Sequence, residues 1–155
     1  MPLRFVLDDI AESECDAIVY AAVPSALEAG CAPAPGVSLE EERQIFAGLG
    51  RDELRITYAN DLYCTYVIHV PCPAWAGDGH DTERLERVYR AVLQLAVDHD
   101  CRSVAFPLIG AGDFPEDAAL RCAVEALGEA SMDVEVLFDD PAAYDHALAL
   151  YPERK

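Results

Sequence analysis

Basic residues are scarce in this sequence: 11 Lys and Arg stand against 29 Asp and Glu, a formal net charge of -18 over 155 residues. Proteins that hold DNA or RNA without sequence preference gain affinity from Lys and Arg neutralising phosphates, so no nucleic-acid partner is expected. An anionic ligand must instead be held locally, by backbone N–H groups and helix N-termini, which favours a small pocket-bound nucleotide over a polymer. Long hydrophobic runs are missing too. No apolar stretch approaches the ~18 residues of a membrane span, and Asp8 and Asp9 fall where a secretory apolar region would continue. No membrane partner and a cytoplasmic location are the expectations.

The six cysteines (Cys15, Cys31, Cys64, Cys72, Cys101, Cys122) include no C-x-x-C pair, and in a reducing compartment they read as small buried hydrophobes rather than a disulfide framework. There is no G-x-S-x-G elbow, no H-E-x-x-H helix and no G-x-x-x-x-G-K-[ST] loop, so nucleophilic and kinase-like chemistry have no support. Cys31, Cys64, His69 and Cys72 match no four-ligand zinc spacing, and no metal is expected. His69, inside an apolar strand, reads as a packed histidine. With neither internal repeat nor low-complexity linker, residues 1–155 read as a single domain, and 52% apolar residues suffice for its core.

What is present is an alternation of short apolar runs with longer segments of helical period, the pattern of an α/β protein. Six strands are expected: Leu3 to Leu7, Asp16 to Ala22, Glu53 to Thr57, Thr65 to Val70, Ser103 to Ile109 and Asp133 to Phe138, in a mixed or mostly parallel sheet. Leu85, Val88, Tyr89, Val92, Leu95 and Ala96 form the apolar stripe of a helix from Thr82, its expected N-cap, to about Asp98, with Arg84, Glu86, Arg87 and Gln94 toward water. Ala118, Ala119, Cys122, Ala123, Ala126 and Leu127 make a second helix starting near Pro115 or Glu116. Asp140-Pro141 starts another, and Glu40, Glu41 and Glu42 open a shorter helix over Leu39 to Ala47.

Two segments carry chemistry. In Phe106-Pro-Leu-Ile-Gly-Ala-Gly-Asp-Phe-Pro115, a strand runs through a Gly-x-Gly turn toward a helix N-terminus, where Gly110 and Gly112 let several N–H groups converge on a phosphate. Leu7-Asp-Asp-Ile10 places acids at the carboxyl end of the first strand, the edge where open α/β sheets bind ligands. There Asp9 reads either as an acceptor for an amino group such as adenine N6 or as the N-cap of a turn at Ala11 to Glu14.

Taken in order these pieces resemble the macro domain family of ADP-ribose binders. Asp8-Asp9-Ile10 is similar to its Gly-Asp-Ile-Thr signature, Asp16-Ala-Ile-Val-Tyr-Ala-Ala22 to its Asp-Ala-Ile-Val-Asn-Ala-Ala-Asn strand, and Tyr66-Val-Ile-His-Val-Pro-Cys-Pro-Ala-Trp75 to Tyr-Val-Ile-His-x-Val-Gly-Pro-x-Trp. Ser103 to Gly112 is similar to Ser-Ile-Ala-Phe-Pro-x-Ile-Ser-Thr-Gly, and Val134 to Asp139 to the last strand. The resemblance implies a three-layer α/β/α fold on a mixed, mostly parallel six-stranded sheet, with ADP-ribose or a related nucleotide as ligand. It implies that Asp9 meets the adenine amino group beside the Ile10 N–H, and that Ala22 belongs to the ligand-binding set. Ile109, Gly110, Ala111, Gly112, Asp113 and Phe114 would wrap the diphosphate and distal ribose. Phe138 or Tyr144 would face adenine.

The departures fall where active members do chemistry. Tyr20-Ala-Ala-Val23 replaces Asn-Ala-Ala-Asn, so Val23 stands where an amide orients the distal ribose. The following glycine-rich loop with its Asp corresponds to Glu28 to Ser38, where Pro33 and Pro35 remove N–H donors and stiffen the chain. Gly30-Cys31 is loosely similar to a zinc-bearing branch, whose His and second Cys correspond here to Gly36 and Ser38. No catalytic residue, metal or cofactor is therefore implied. The expectation is a binding module with weak or no catalysis. The alternatives are a hydrolase of ADP-ribosyl groups or O-acetyl-ADP-ribose drawing an acid from Glu40 or Glu41, and a vestigial pocket, filled by Tyr20, Pro35 or Trp75, in a module that meets partners with basic surfaces.

Overall fold

The computed structural model describes residues 3–22, 30, 32–50 and 53–155. The strands are β1 (Leu3–Leu7), β2 (Ala17–Ala22), β3 (Arg55–Tyr58), β4 (Tyr66–Pro71), β5 (Ser103–Pro107) and β6 (Asp133–Phe138), and the helices are α1 (Leu39–Ala47), α2 (Asp81–Asp98), α3 (Glu116–Leu127) and α4 (Pro141–Leu150). One sheet holds all six strands in the order β1-β6-β5-β2-β4-β3, parallel throughout except for the β3–β4 pair. This is the mixed, mostly parallel sheet the sequence led us to expect.

Period-two alternation divides the sheet into two faces. Leu3, Phe5, Val19, Ile68, Val70, Val104, Phe106, Val134 and Val136 share one core cluster with the stripes of α2 and α3 and with Ala147 of α4. The other face, with Ile18, Val67, Ala105 and Leu137, is covered by Ala34, and Phe46 of α1 packs beside it against Ala22. Among the described residues, helices thus lie on both sides of the sheet, three against one. Cys15, Cys64, Cys101 and Cys122 are buried, and burial pushes the Cys15 and Cys122 thiols up to about 11, as befits inert small hydrophobes. No helix among the described residues is long and apolar enough to cross a membrane.

Element ends differ from the sequence reading for local reasons. β5 stops at Pro107 instead of Ile109, because the chain turns at once, with Ala111 N–H bonding Leu108 O at 3.3 Å. Thr82 is not the N-cap of α2: the helix begins at Asp81. The Asp81 carboxylate, 2% exposed, accepts the N–H groups of Ala76 and Gly77 at 2.7 and 2.8 Å and the Arg84 guanidinium at 2.9 Å, which fixes the helix start one residue earlier. Arg84 is half-buried in this cluster rather than solvated, and its bond to Asp78 holds that carboxyl down at about 2. The expected starts of α1 and α4 hold, with Ser38 Oγ accepting from Glu41 N–H and Asp140 Oδ1 from Ala142 N–H.

Candidate functional site

The parallel strands β1, β6 and β5 end side by side, and beyond their carboxyl ends opens a cleft of about 640 Å³. This is the edge where a parallel sheet leaves room for a ligand between its strand-to-helix loops. Its wall includes six residues singled out in the sequence: Asp9, Ile10, Ala111, Gly112, Phe114 and Phe138.

Asp9 is an N-cap, one of the two readings its place in the sequence offered, and keeps its second oxygen out of that role. It caps the short 3-10 turn Ile10–Glu12 through Oδ1, which accepts Ala11 N–H at 2.9 Å, while Oδ2 has no hydrogen bond among the described residues. The neighbouring Ile10 N–H likewise has no acceptor among the described residues. A free carboxylate oxygen beside a free amide is the donor–acceptor pair that the edge of an adenine ring complements. Phe138, 5% exposed, contributes an aromatic wall braced edge-on by Phe5 at 5.5 Å.

The glycine turn is more self-contained than its sequence suggests. Ile109 N–H donates to the buried Tyr89 hydroxyl at 3.0 Å, Ala111 N–H to Leu108 O, and both Asp113 and Phe114 N–H to Gly110 O. Gly110 directs its amide to Cys72, whose thiol burial pushes up and that amide pulls back. Gly112 alone keeps its N–H unaccepted among the described residues. The expected convergence of all these amides on phosphate thus reduces to Gly112 together with the first turn of α3, whose N-cap, Pro115, offers no side-chain acceptor. The glycines also differ in role. Both have positive φ, +89° and +87°, but a Cβ on Gly110 would meet the Phe114 ring at 3.0 Å, whereas one on Gly112 would meet nothing within 4 Å. Gly110 is a packing residue; Gly112 keeps the cleft open.

The other expected ligand residues lie off the wall. Ala22 and Ile109 are buried, Gly110 sits beneath the turn, and Tyr144 stands behind Phe138 at 6.1 Å between ring centroids. The Asp113 carboxylate is engaged by Trp75 N–H at 2.7 Å, which latches the loop after β4 onto the turn. Val23 and Cys31 lie outside the described residues. None of the three candidate plugs fills the cleft: Tyr20 packs on Phe46 and donates its hydroxyl to Ala32 O, Trp75 packs on Phe114, and Pro35 is not on the wall. His69 is buried far from solvent, its Nδ1 at 2.5 Å from Glu42 Oε1 and its Nε2 at 2.8 Å from Thr57 Oγ1, which leaves no ring nitrogen for a metal.

Sequence reasoning missed Pro107, Leu108, Glu116, Leu137, Asp139, Asp140 and Ala143 as wall residues. A signal existed, since each lies within about two residues of a strand end or helix start that the sequence located. Among the described residues the wall carries five carboxylates (Asp8, Asp9, Glu116, Asp139, Asp140) and no Lys or Arg, so the groups there that suit an anion are amides and the α3 dipole. Across the α3 terminus, His146 of α4 bonds Asp117 at 2.7 Å. That hydrogen bond, with Glu116 nearby, raises His146 above its ordinary 6.5. A raised folded value means the α3–α4 link is fully formed below pH 6.5 and is lost as pH climbs through the raised value. Proton NMR titration is expected to place the His146 midpoint above 6.5 and to find it lowered in Asp117→Asn; an unchanged midpoint contradicts the link.

Comparison with known proteins agrees with this geometry. The sequence pattern described as Macro domain matches residues 14–123. A macro domain-containing protein of Mesorhizobium japonicum is 37% identical over 141 residues, covering 86% of this chain and 78% of its own. An O-acetyl-ADP-ribose deacetylase of Klebsiella pneumoniae is 32% identical over 168 residues, covering 95% and 96%. Among solved structures, an Oceanobacillus iheyensis macrodomain variant with ADPR superposes with a TM-score of 0.75 at 24% identity over 97% of this chain and 94% of that one. A Trypanosoma brucei macrodomain in complex with ADP-ribose gives 0.74 at 23% identity, covering 97% and 69%. With its sheet order, its cleft at the ends of β1, β6 and β5 and a family match over most of its length, the chain belongs to the macro domain family.

Proposed function

We propose that this protein binds ADP-ribose, an ADP-ribosyl group or a related adenine nucleotide in the cleft, with weak or no turnover. One observation carries the reading: Asp9, Ile10, Gly112 and Phe138 line one open cleft of about 640 Å³, and Asp9 Oδ2 and the Ile10 and Gly112 N–H groups have no partner among the described residues. The first three suit adenine. Gly112 and the α3 N-terminus suit a diphosphate. The family and the ligands named for its solved relatives support the same choice.

Weak catalysis is the reading because Val23 and the Glu28 to Ser38 stretch stand where active members of the family carry an Asn and a glycine-rich loop with an Asp. Glu40 and Glu41 are exposed on the first turn of α1 and absent from the wall, with Glu40 bonded to Gln44. Hydrolysis of O-acetyl-ADP-ribose is the second reading, favoured by the name of the Klebsiella relative. Incubation with O-acetyl-ADP-ribose and with a mono-ADP-ribosylated protein separates the two: release of acetate or ADP-ribose over many turnovers supports the hydrolase.

Calorimetry with ADP-ribose is expected to give one site with a Kd between about 1 µM and 1 mM. Trp75, the single tryptophan, is 40% exposed with its ring centroid 5.1 Å from that of Phe114, so its fluorescence provides an independent titration. Asp9→Ala is expected to weaken binding about five- to tenfold, the scale of one charge-assisted hydrogen bond, and to cost about 1 kcal/mol of stability through the lost cap. Absence of heat and of any fluorescence change at millimolar ADP-ribose overturns the reading.

A further inference from the structure

Three successive amides of the loop after β4 each donate to a carboxylate: Trp75 N–H to Asp113 Oδ2 at 2.7 Å, Ala76 N–H to Asp81 Oδ1 at 2.7 Å and Gly77 N–H to Asp81 Oδ2 at 2.8 Å. Asp81 opens α2, is 2% exposed and also takes the Arg84 guanidinium, so Ala76 and Gly77 are fixed to the helix start. Trp75 directly precedes them. Its N–H is therefore a donor held in place, and the Asp113 carboxylate reaches it from the glycine turn, 38 residues further along the chain.

On charge grounds Asp113 is the wrong residue for its place. The wall of the cleft already holds five carboxylates among the described residues, and one more on a turn that meets a diphosphate repels it. A carboxylate there calls for another reason, which lies in its neighbour. Gly112 has positive φ, offers a Cβ nothing within 4 Å, and has an N–H with no acceptor among the described residues. It is the least supported residue of the turn. The turn is tied down on either side of it. Before Gly112, the Ile109 N–H is held by the buried Tyr89 hydroxyl and the Gly110 N–H by Cys72. After it, the Phe114 ring packs edge-on against that of Trp75, and Asp113 bonds the Trp75 N–H. Of these ties, the one through Asp113 is adjacent to Gly112.

We propose that Asp113 is a positioning residue: by bonding the Trp75 N–H, its carboxylate ties the glycine turn to the loop after β4 and fixes the direction in which the Gly112 amide meets the cleft. The inference rests on the nucleotide reading above. Asp113 touches no ligand in this role; it acts through the backbone it holds. Its acceptor and its charge then work in opposite senses, the hydrogen bond ordering the turn and the charge opposing phosphate. An amide side chain keeps the first and removes the second.

The test compares Asp113→Asn with Asp113→Ala. The two variants carry the same charge and differ in the acceptor that the Trp75 N–H needs, and at an exposed position neither threatens the fold. ADP-ribose is expected to bind Asp113→Asn about fivefold more tightly than Asp113→Ala, the scale of one hydrogen bond that orders the turn. Adenosine, which carries no phosphate for the turn, is expected to bind the two within about twofold. ADP-ribose affinities that agree within about twofold between the variants, or an adenosine affinity that falls in step with that of ADP-ribose, overturn the proposal. Hydrogen exchange provides an arm independent of any ligand: the Trp75 amide is expected to exchange at least about tenfold faster in Asp113→Ala than in Asp113→Asn, and equal rates overturn the tie itself. If the parent protein binds neither ligand, the nucleotide reading fails and takes the positioning role with it. A parent that binds both, with variants that behave alike, leaves the nucleotide reading standing and removes only the role of Asp113.

Discussion

Glu42→Ala is expected to cost about 3–5 kcal/mol of folding stability, although Glu42 sits in an acidic first turn where an exposed Glu would contribute only tenths. The substitution leaves the His69 Nδ1–H and the Ala34 N–H without acceptors in a fully buried site and opens a cavity against Phe46. For a domain of this size that corresponds to a fall of roughly 6–20 °C in Tm. His69→Ala is expected to be at least as damaging, because it strands a buried carboxylate. Since both changes break the same network, the double alanine variant is expected to fall well short of the summed single losses. Thermal or urea denaturation of the three variants checks this, and additive losses, or a cost under about 1 kcal/mol for Glu42→Ala, contradict the network as described.

The second large effect is on binding. Gly112→Val is expected to weaken ADP-ribose binding by at least about thirtyfold while costing only about 1–2 kcal/mol of stability. The stability term comes from the left-handed φ of +87°, which a β-branched residue tolerates poorly, and not from a clash, because no atom lies within 4 Å of the added Cβ. The binding term comes from placing an isopropyl group on the cleft wall beside the turn amide that has no partner among the described residues. Calorimetry together with a melting curve separates the two. Unchanged affinity in a folded Gly112→Val protein means that the ligand does not reach the turn.

The contrast between these sites marks how much was legible beforehand. The six strands and four α-helices of the described residues were readable because burial imposes strict periods of two and of three to four on apolar residues. The ends of β1 and β6, and hence the place of the cleft, followed from them. Gly110 and Gly112 read alike, since both need positive φ. Only packing separates them, one against Phe114 and the other against open space. The anion nest was overestimated for a related reason: a sequence displays glycines but not which amides a turn closes on itself. Glu40, Glu41 and Glu42 read as three equivalent helix-start acids. In the folded helix Glu42 lies one turn before Phe46 on the buried face, and its partners come from β4 and from the turn at Ala34, separations of 27 and 8 residues along the chain. Pairings of that kind exist only once the sheet order is fixed.

In the proposed site, backbone amides and one carboxylate, with no basic side chain among the described wall residues, receive the ligand. Amide chemical shifts followed during titration with ADP-ribose test it most directly. Saturable shifts are expected at Ile10, at Gly112 and at Glu116 and Asp117 in the first turn of α3, with β3 and the carboxyl end of α2 unmoved. Saturable binding that leaves Ile10 and Gly112 unshifted, or that moves only resonances remote from the cleft, contradicts the account.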